Sequence, residues 1–262
     1  MKKFYRLFAA AVLLISILAG CSKQENVNSD NEQVKLTISA AASLQGALEE
    51  LKKTYEKEHP VIKIRYNFGG SGTLQQQIVK GAPVDLFLSA SDEEFDILVE
   101  KGIVDQKHQT NLLTNELVLI VPKSNKKNIQ SFEDLTQARK IALGTPETVP
   151  AGQYGMETLK SMQIWEDIKS QLVYTKDVRQ VLTYTETENV DAGIVYKTDA
   201  ISSDKVEVIS TAAEDAHTPI TYPMGIIMNS KSVKEAEEFY NFLQSDEAMK
   251  IFTEHGFKGA EK

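Results

Sequence analysis

The chain has 262 residues, with 29 Lys and Arg against 37 Asp and Glu, a net charge of −8 and a single cysteine. Such an acidic balance argues against nucleic-acid binding, which leaves a basic footprint, so no nucleic-acid partner is expected. One cysteine excludes an internal disulfide and a thiolate metal cluster, so the folded part must be held by apolar cores alone.

Residues 1–20 read as a signal peptide. Lys2, Lys3 and Arg6 form its basic start, residues 7–17 its apolar run, and Leu18-Ala19-Gly20-Cys21 its cleavage site. The run is shorter than the ~20 residues a membrane-spanning helix needs. This pattern resembles the lipobox of bacterial lipoproteins. The resemblance implies that Cys21 is lipidated, becomes the mature N-terminus and anchors the chain to the cell membrane on its extracytoplasmic face. The mature 242 residues then carry 26 basic against 37 acidic side chains, a net of −11. After Cys21 the polar, aperiodic stretch to residue 33 is expected to be a disordered tether.

From Val34 onward strand-like and helix-like segments alternate, which predicts an α/β fold with largely parallel sheets. Strands are expected at 35–40, 62–68, 84–89, 117–121, 140–143, 171–174, 192–196, 206–209 and 224–228. Helices are expected at 44–58, 73–80, 92–101, 132–138, 152–162, 178–188, 232–244 and 246–255. Ser131 with Asp134, and Asp177 with Gln180, read as helix starts of the capping-box kind. The runs 116–122 and 220–228 are apolar on both faces, as in strands buried within a sheet. They predict an inserted domain, with one lobe made of 34–117 and 222–262 and a second of 118–221.

Two junctions repeat one layout of apolar strand, small residues, serine and helix. The first is Ile38-Ser39-Ala40-Ala41-Ala42-Ser43-Leu44 and the second is Phe68-Gly69-Gly70-Ser71-Gly72-Thr73-Leu74. Ser43 and Ser71 are each expected to cap a helix whose first N–H groups lack partners and whose dipole places about half a positive charge at that end. Facing one cleft, the two junctions would make an anion site without lysine or arginine.

Other chemistries find little support. Ser71 superficially resembles a nucleophile elbow, but Thr73 stands where that turn requires glycine. The four histidines, His59, His108, His217 and His255, are scattered, and there is no Gly-Lys-Ser/Thr phosphate loop, third dinucleotide glycine or His-Glu-x-x-His. No enzymatic activity, cofactor or direct protein–metal ligand is expected.

Five segments occur in order: Ala40-Ala41-Ala42-Ser43-Leu44, the glycine-rich stretch around Ser71, Gly81-Ala82-Pro83-Val84-Asp85 continuing to Ala90, Val149-Pro150-Ala151-Gly152, and Gly193-Ile194-Val195-Tyr196. Together they resemble the substrate-binding proteins of bacterial molybdate ABC transporters. The resemblance implies a two-lobed periplasmic-binding-protein type 2 fold, with the ligand cleft between lobes joined by two crossing strands. It implies contacts to molybdate from Ser43, Ser71, the backbone N–H groups of Ala151 and Val178, and the phenol of Tyr196. It also implies a monomeric receptor for molybdate and tungstate that delivers the oxyanion to a permease and its ATPase. A sulfate receptor is an alternative, and an enzyme on the same scaffold a more distant one. Some members of that family carry further serines where this chain has Gly70 and Gly72.

A buried dianion must exchange its water shell for oriented donors, and three or four helix N-termini at roughly +0.5 charge each can nearly balance it. Lys176 and Arg179 flank Val178 and are expected at a solvated helix start. With no titrating ligand group, affinity is expected to be nearly flat between about pH 6 and 8.

Overall fold

The computed structural model describes residues 33–260, so the expectations for residues 1–32 lie outside the described part. The first half of the fold repeats one unit three times. Strand β1 (Val34–Ala41) runs through a 3-10 turn (Ala42–Leu44) into helix α1 (Gln45–Glu58). Strand β2 (Ile62–Gly69) enters α2 (Ser71–Val79), and β3 (Leu86–Leu88) enters α3 (Asp92–Glu100).

Strands β4 (Val104–Thr114) and β5 (Leu117–Pro122) follow. A second α/β series comprises β6 (Ile141–Gly144), α4 (Pro150–Ser161), α5 (Trp165–Ile168), β7 (Leu172–Thr175), α6 (Val178–Glu186), β8 (Ala192–Tyr196), α7 (Lys197–Ile201) and β9 (Val206–Thr211). The chain closes with β10 (Thr221–Ile227), α8 (Val233–Leu243), α9 (Asp246–Glu254) and the short β11 (Lys258–Gly259).

Two mixed sheets result, one in each lobe. The six-stranded sheet has the order β11-β4-β10-β3-β1-β2 and the five-stranded sheet β7-β6-β8-β5-β9. In the first, β1 lies parallel to both β2 and β3, while β10 is antiparallel to β3 and β4. In the second, β6 lies parallel to β7 and β8, while β5 is antiparallel to β8 and β9. The chain passes between the sheets twice, at residues 115–116 between β4 and β5, and along 212–220 between β9 and β10.

Burial explains why the central strands are apolar on both faces. In β3, Leu86 and Leu88 join the large core, which includes Leu48, Leu51 and Tyr55 of α1, while Phe87 points the other way into a smaller cluster with Leu74, Ile78 and Phe95. Alternation with period two makes this division inevitable for a covered strand. The six residues of β5 are all buried, as the sequence pattern requires.

Three local expectations need correction. Strand β4 is absent from the sequence reading because its middle, Asp105 to Asn111, is polar; it is held by backbone pairing to β10 and β11 rather than by an apolar stripe. Ser131 makes no cap: the segment Glu133–Gln137 is a 3-10 helix, and Asp134 instead accepts the backbone N–H of Gln130 at 2.9 Å. The short helices α5 and α7 are also absent from that reading, being too brief for a periodic signal. By contrast, Asp177 caps α6 by accepting the N–H of Gln180 at 2.8 Å, and Gln180 reaches back to the N–H of Lys176 at 3.0 Å.

Candidate functional site

In an open α/β sheet, ligands bind beyond the carboxyl ends of the parallel strands, where helices begin. Here that rule operates from both lobes at once. Ala41 ends β1 and Ala42 and Ser43 follow it; Gly69 ends β2 and Gly70 and Ser71 follow it; Ala90 comes after β3. Val149, Pro150 and Ala151 come after β6, Val178 after β7, and Tyr196 ends β8. These residues line one small cavity, of about 10 Å³, at the meeting of the lobes. All five residues singled out from the sequence, Ser43, Ser71, Ala151, Val178 and Tyr196, are among them.

Helix starts surround the cavity: the 3-10 turn leading into α1, then α2, α4 and α6. First-turn N–H groups find no acceptor within their own helix, and each of the longer helices adds the positive end of its dipole. Pro150 takes the first helical position of α4, where a missing N–H costs nothing, and thereby leaves the Ala151 N–H as the first donor of that turn. Gly152 allows this helix to sit close on β6, since a Cβ there would overlap the carbonyl of Gly144.

Neither serine acts as the helix cap expected from sequence. Ala41 and Gly70 occupy the cap positions, and no side chain bonds there. Both hydroxyls are engaged across the fold instead. Ser71 Oγ accepts the backbone N–H of Ala90 at 3.0 Å, which leaves its own hydrogen to donate. Ser43 Oγ shares a hydrogen bond of 2.9 Å with the Tyr222 hydroxyl.

Tyr196 is fully buried, yet its hydroxyl has no hydrogen-bond partner among the described residues. Burial, and then the neighbouring Tyr222, hold its phenol well above the usual value, so it stays a donor. An unmatched buried donor costs ~1 to 3 kcal/mol, and Tyr196 lies on the cavity wall.

The lining contains no Lys, Arg, His, Asp or Glu. Lys176 is exposed, and Arg179 bonds Ser202 Oγ at 2.8 Å, so both stand where a solvated helix start would put them. Behind Tyr196, on α7, lies Asp199, whose buried carboxylate oxygens have no hydrogen-bond partner of good geometry among the described residues. Its approach to Arg179 is 3.9 Å, an ion pair without a hydrogen bond. Desolvation outweighs that cation and raises the Asp199 carboxyl from 3.8 to about 7. The sequence reading contained no signal for Asp199, nor for Tyr222 and Asn115 behind Ser43.

The lobes touch across the cavity. The Gly72 N–H donates to the Thr148 carbonyl at 3.0 Å, Tyr154 donates its hydroxyl to the Ala90 carbonyl at 3.3 Å, and Gln153 donates to Glu93 at 3.0 Å. Gly70 sits so close to the opposite lobe that a Cβ there would lie 2.6 Å from the Thr148 carbonyl oxygen.

A family described as bacterial extracellular solute-binding protein matches residues 36–258. The chain is 52% identical over 257 residues to YvgL of Bacillus subtilis, provisionally named an ABC transporter substrate-binding lipoprotein, covering 98% of this chain and 99% of the relative. It is 35% identical over 228 residues to the molybdate-binding protein ModA of Haemophilus influenzae, covering 85% and 89% of the two chains. Among solved structures, the Azotobacter vinelandii periplasmic molybdate-binding protein aligns with a TM-score of 0.78 at 22% identity, over 86% of this chain and 100% of that one. At that identity the likeness speaks for the fold.

Proposed function

The chain belongs to the bacterial extracellular solute-binding protein family, and from that premise we propose that it is an oxyanion receptor for molybdate and tungstate. One observation carries the reading: a small cavity between two lobes, walled by helix starts, two serine hydroxyls and an unpartnered phenol, with no charged side chain in its lining. Such a site supplies donors and almost no acceptors. It suits a tetrahedral dianion that carries no proton of its own.

In this reading Ser43 and Ser71 hold the anion from one lobe, and the Ala151 N–H, the Val178 N–H and the Tyr196 hydroxyl hold it from the other. Contacts made to both lobes favour the closed arrangement over an open one through differential binding. The closed receptor hands its ligand to a membrane permease and ATPase. Binding and delivery involve no bond-making, so no turnover is proposed. Anchoring through lipid on Cys21 is part of the proposal and draws support from the lipoprotein relative; a Cys21→Ala chain should leave the membrane fraction.

Thermal unfolding of the chain without residues 1–32, against sodium molybdate, tungstate, sulfate and phosphate, tests the ligand class. Ligand at ~100 times its dissociation constant adds about 2.7 kcal/mol of stability. Molybdate and tungstate should raise the melting temperature at micromolar concentration. Sulfate, being smaller, should stretch the hydrogen bonds, and phosphate should bring a proton with no acceptor. Equal shifts with sulfate would favour the sulfate receptor instead.

A further inference from the structure

Behind Ser43 runs a short hydrogen-bond chain whose direction can be worked out from its far end. The Glu116 N–H donates to Asn115 Oδ1 at 2.9 Å, which fixes the orientation of that amide. Asn115 Nδ2 therefore faces the two remaining partners, donating to Thr198 Oγ1 at 2.9 Å and to the Tyr222 hydroxyl oxygen at 3.1 Å. Tyr222 is 1% exposed, so its own hydrogen needs an acceptor inside the protein. Ser43 Oγ, at 2.9 Å, is the acceptor within reach. With its oxygen engaged from behind, Ser43 has its own hydrogen left for the cavity it lines.

We infer that Tyr222, held by Asn115, is a positioning residue that presents Ser43 to the ligand as a hydrogen-bond donor and so helps select oxyanions without a proton. The inference rests on the oxyanion-receptor reading above. Ser71 reaches the same state by another route, through the Ala90 N–H, so the two serines are matched donors. The relay draws on both lobes as well: Tyr222 lies on β10, Asn115 at the first passage between the sheets, and Thr198 on α7. Its donors are thus lined up in the arrangement in which the lobes meet.

A double-mutant cycle on the full mature chain, read by calorimetry with sodium molybdate, tests this. Wild-type protein is titrated first; absence of molybdate binding would overturn the receptor reading itself. If wild type binds, Tyr222→Phe should weaken molybdate about three- to tenfold, the value of one intramolecular hydrogen bond. In a Ser43→Ala background the same change should cost less than about twofold, because Tyr222 would have no donor left to position. Competition with inorganic phosphate adds a readout that simple packing damage would not move: Tyr222→Phe should lower the preference for molybdate over phosphate. Equal losses in both backgrounds, or an unchanged preference, would overturn the relay while leaving the receptor intact. Should Tyr222→Phe fail to fold, Asn115→Ala put through the same cycle decides by the same criterion.

Discussion

Gly72 and Thr148, on opposite lobes, are joined by a backbone hydrogen bond of 3.0 Å, and Gly70 lies beside it with no room for a side chain. The lobes therefore meet backbone to backbone at the rim of the cavity.

That approach makes Gly70→Ala a test of closure rather than of contact with the ligand. A Cβ 2.6 Å from the Thr148 carbonyl oxygen must push the lobes apart. Overpacking of this kind costs about 1 to 3 kcal/mol, all of it in the closed arrangement. Molybdate affinity should fall at least several-fold with little change in the melting temperature of the free protein, and small-angle scattering should show a more open average shape.

Ser43→Ala and Ser71→Ala should each weaken binding by roughly 1.5 to 3 kcal/mol, the value of a hydrogen bond to a charged group. Each should also cost stability, because each orphans a buried donor: Ser71→Ala strands the Ala90 N–H, and Ser43→Ala strands the Tyr222 hydroxyl hydrogen, at ~1 to 3 kcal/mol apiece. Calorimetry and urea unfolding on both variants separate the two quantities; wild-type affinity in both would remove them from the site.

Tyr196→Phe should move stability and affinity in opposite directions. The hydroxyl has no partner in the described structure, so its removal relieves a desolvation cost of ~1 to 3 kcal/mol. The free protein should melt higher while molybdate binds more weakly. A lower melting temperature would mean that the phenol has a structural role.

Asp199 supplies a group through which affinity should depend on pH, although the five site residues themselves do not titrate in that range. Because its folded carboxyl is raised from 3.8 to about 7, the folded chain retains a proton that the unfolded chain releases. The stability linked to that proton is present in full below about pH 4 and is lost as pH rises through 7, a change on the order of a few kcal/mol. Asp199→Asn should thus be more stable than wild type at pH 8, with the difference closing toward pH 4. A dianion beyond Tyr196 disfavours the charged carboxylate further, so molybdate affinity should decline above pH 7 and flatten below it. In Asp199→Asn that slope should vanish; a slope equal to wild type would assign it to another group.

The strand at 192–196 and the helix start at Asp177 were legible in the sequence because each is a local matter of alternation or capping chemistry. Ser43 and Ser71 were legible because each sits at a strand–helix junction where loop composition points to anion chemistry, whereas Ala151, Val178 and Tyr196 were placed only by the resemblance to molybdate-binding proteins. What escaped depends on contacts distant in sequence. Ser43 meets Tyr222 across 179 positions, and Ser71 meets Ala90 across a whole strand, so hydroxyls that look like caps serve elsewhere. Asp199 looks like a surface acid on a short helix, and only the packing of α6 and α7 makes it a buried one. Strand β4 hides behind its polar side chains, since its partners supply hydrogen bonds and no apolar stripe.

The two sheets also differ in when they can be completed. Strands β5 to β9 lie within residues 117–211, so the five-stranded sheet can assemble as soon as that stretch is available. The six-stranded sheet has β10 between β3 and β4, and must wait for the last quarter of the chain to close over a long loop. A chain emerging N-terminus first into the extracytoplasmic space would hold Ser43 and Ser71 on an unfinished sheet until its final strands arrive. In refolding experiments, amides of β5, β6 and β8 should gain protection from hydrogen exchange before those of β1 and β3. The two halves of the cavity would then have separate birthdays, and the later one would set the moment at which the receptor first becomes able to hold a ligand.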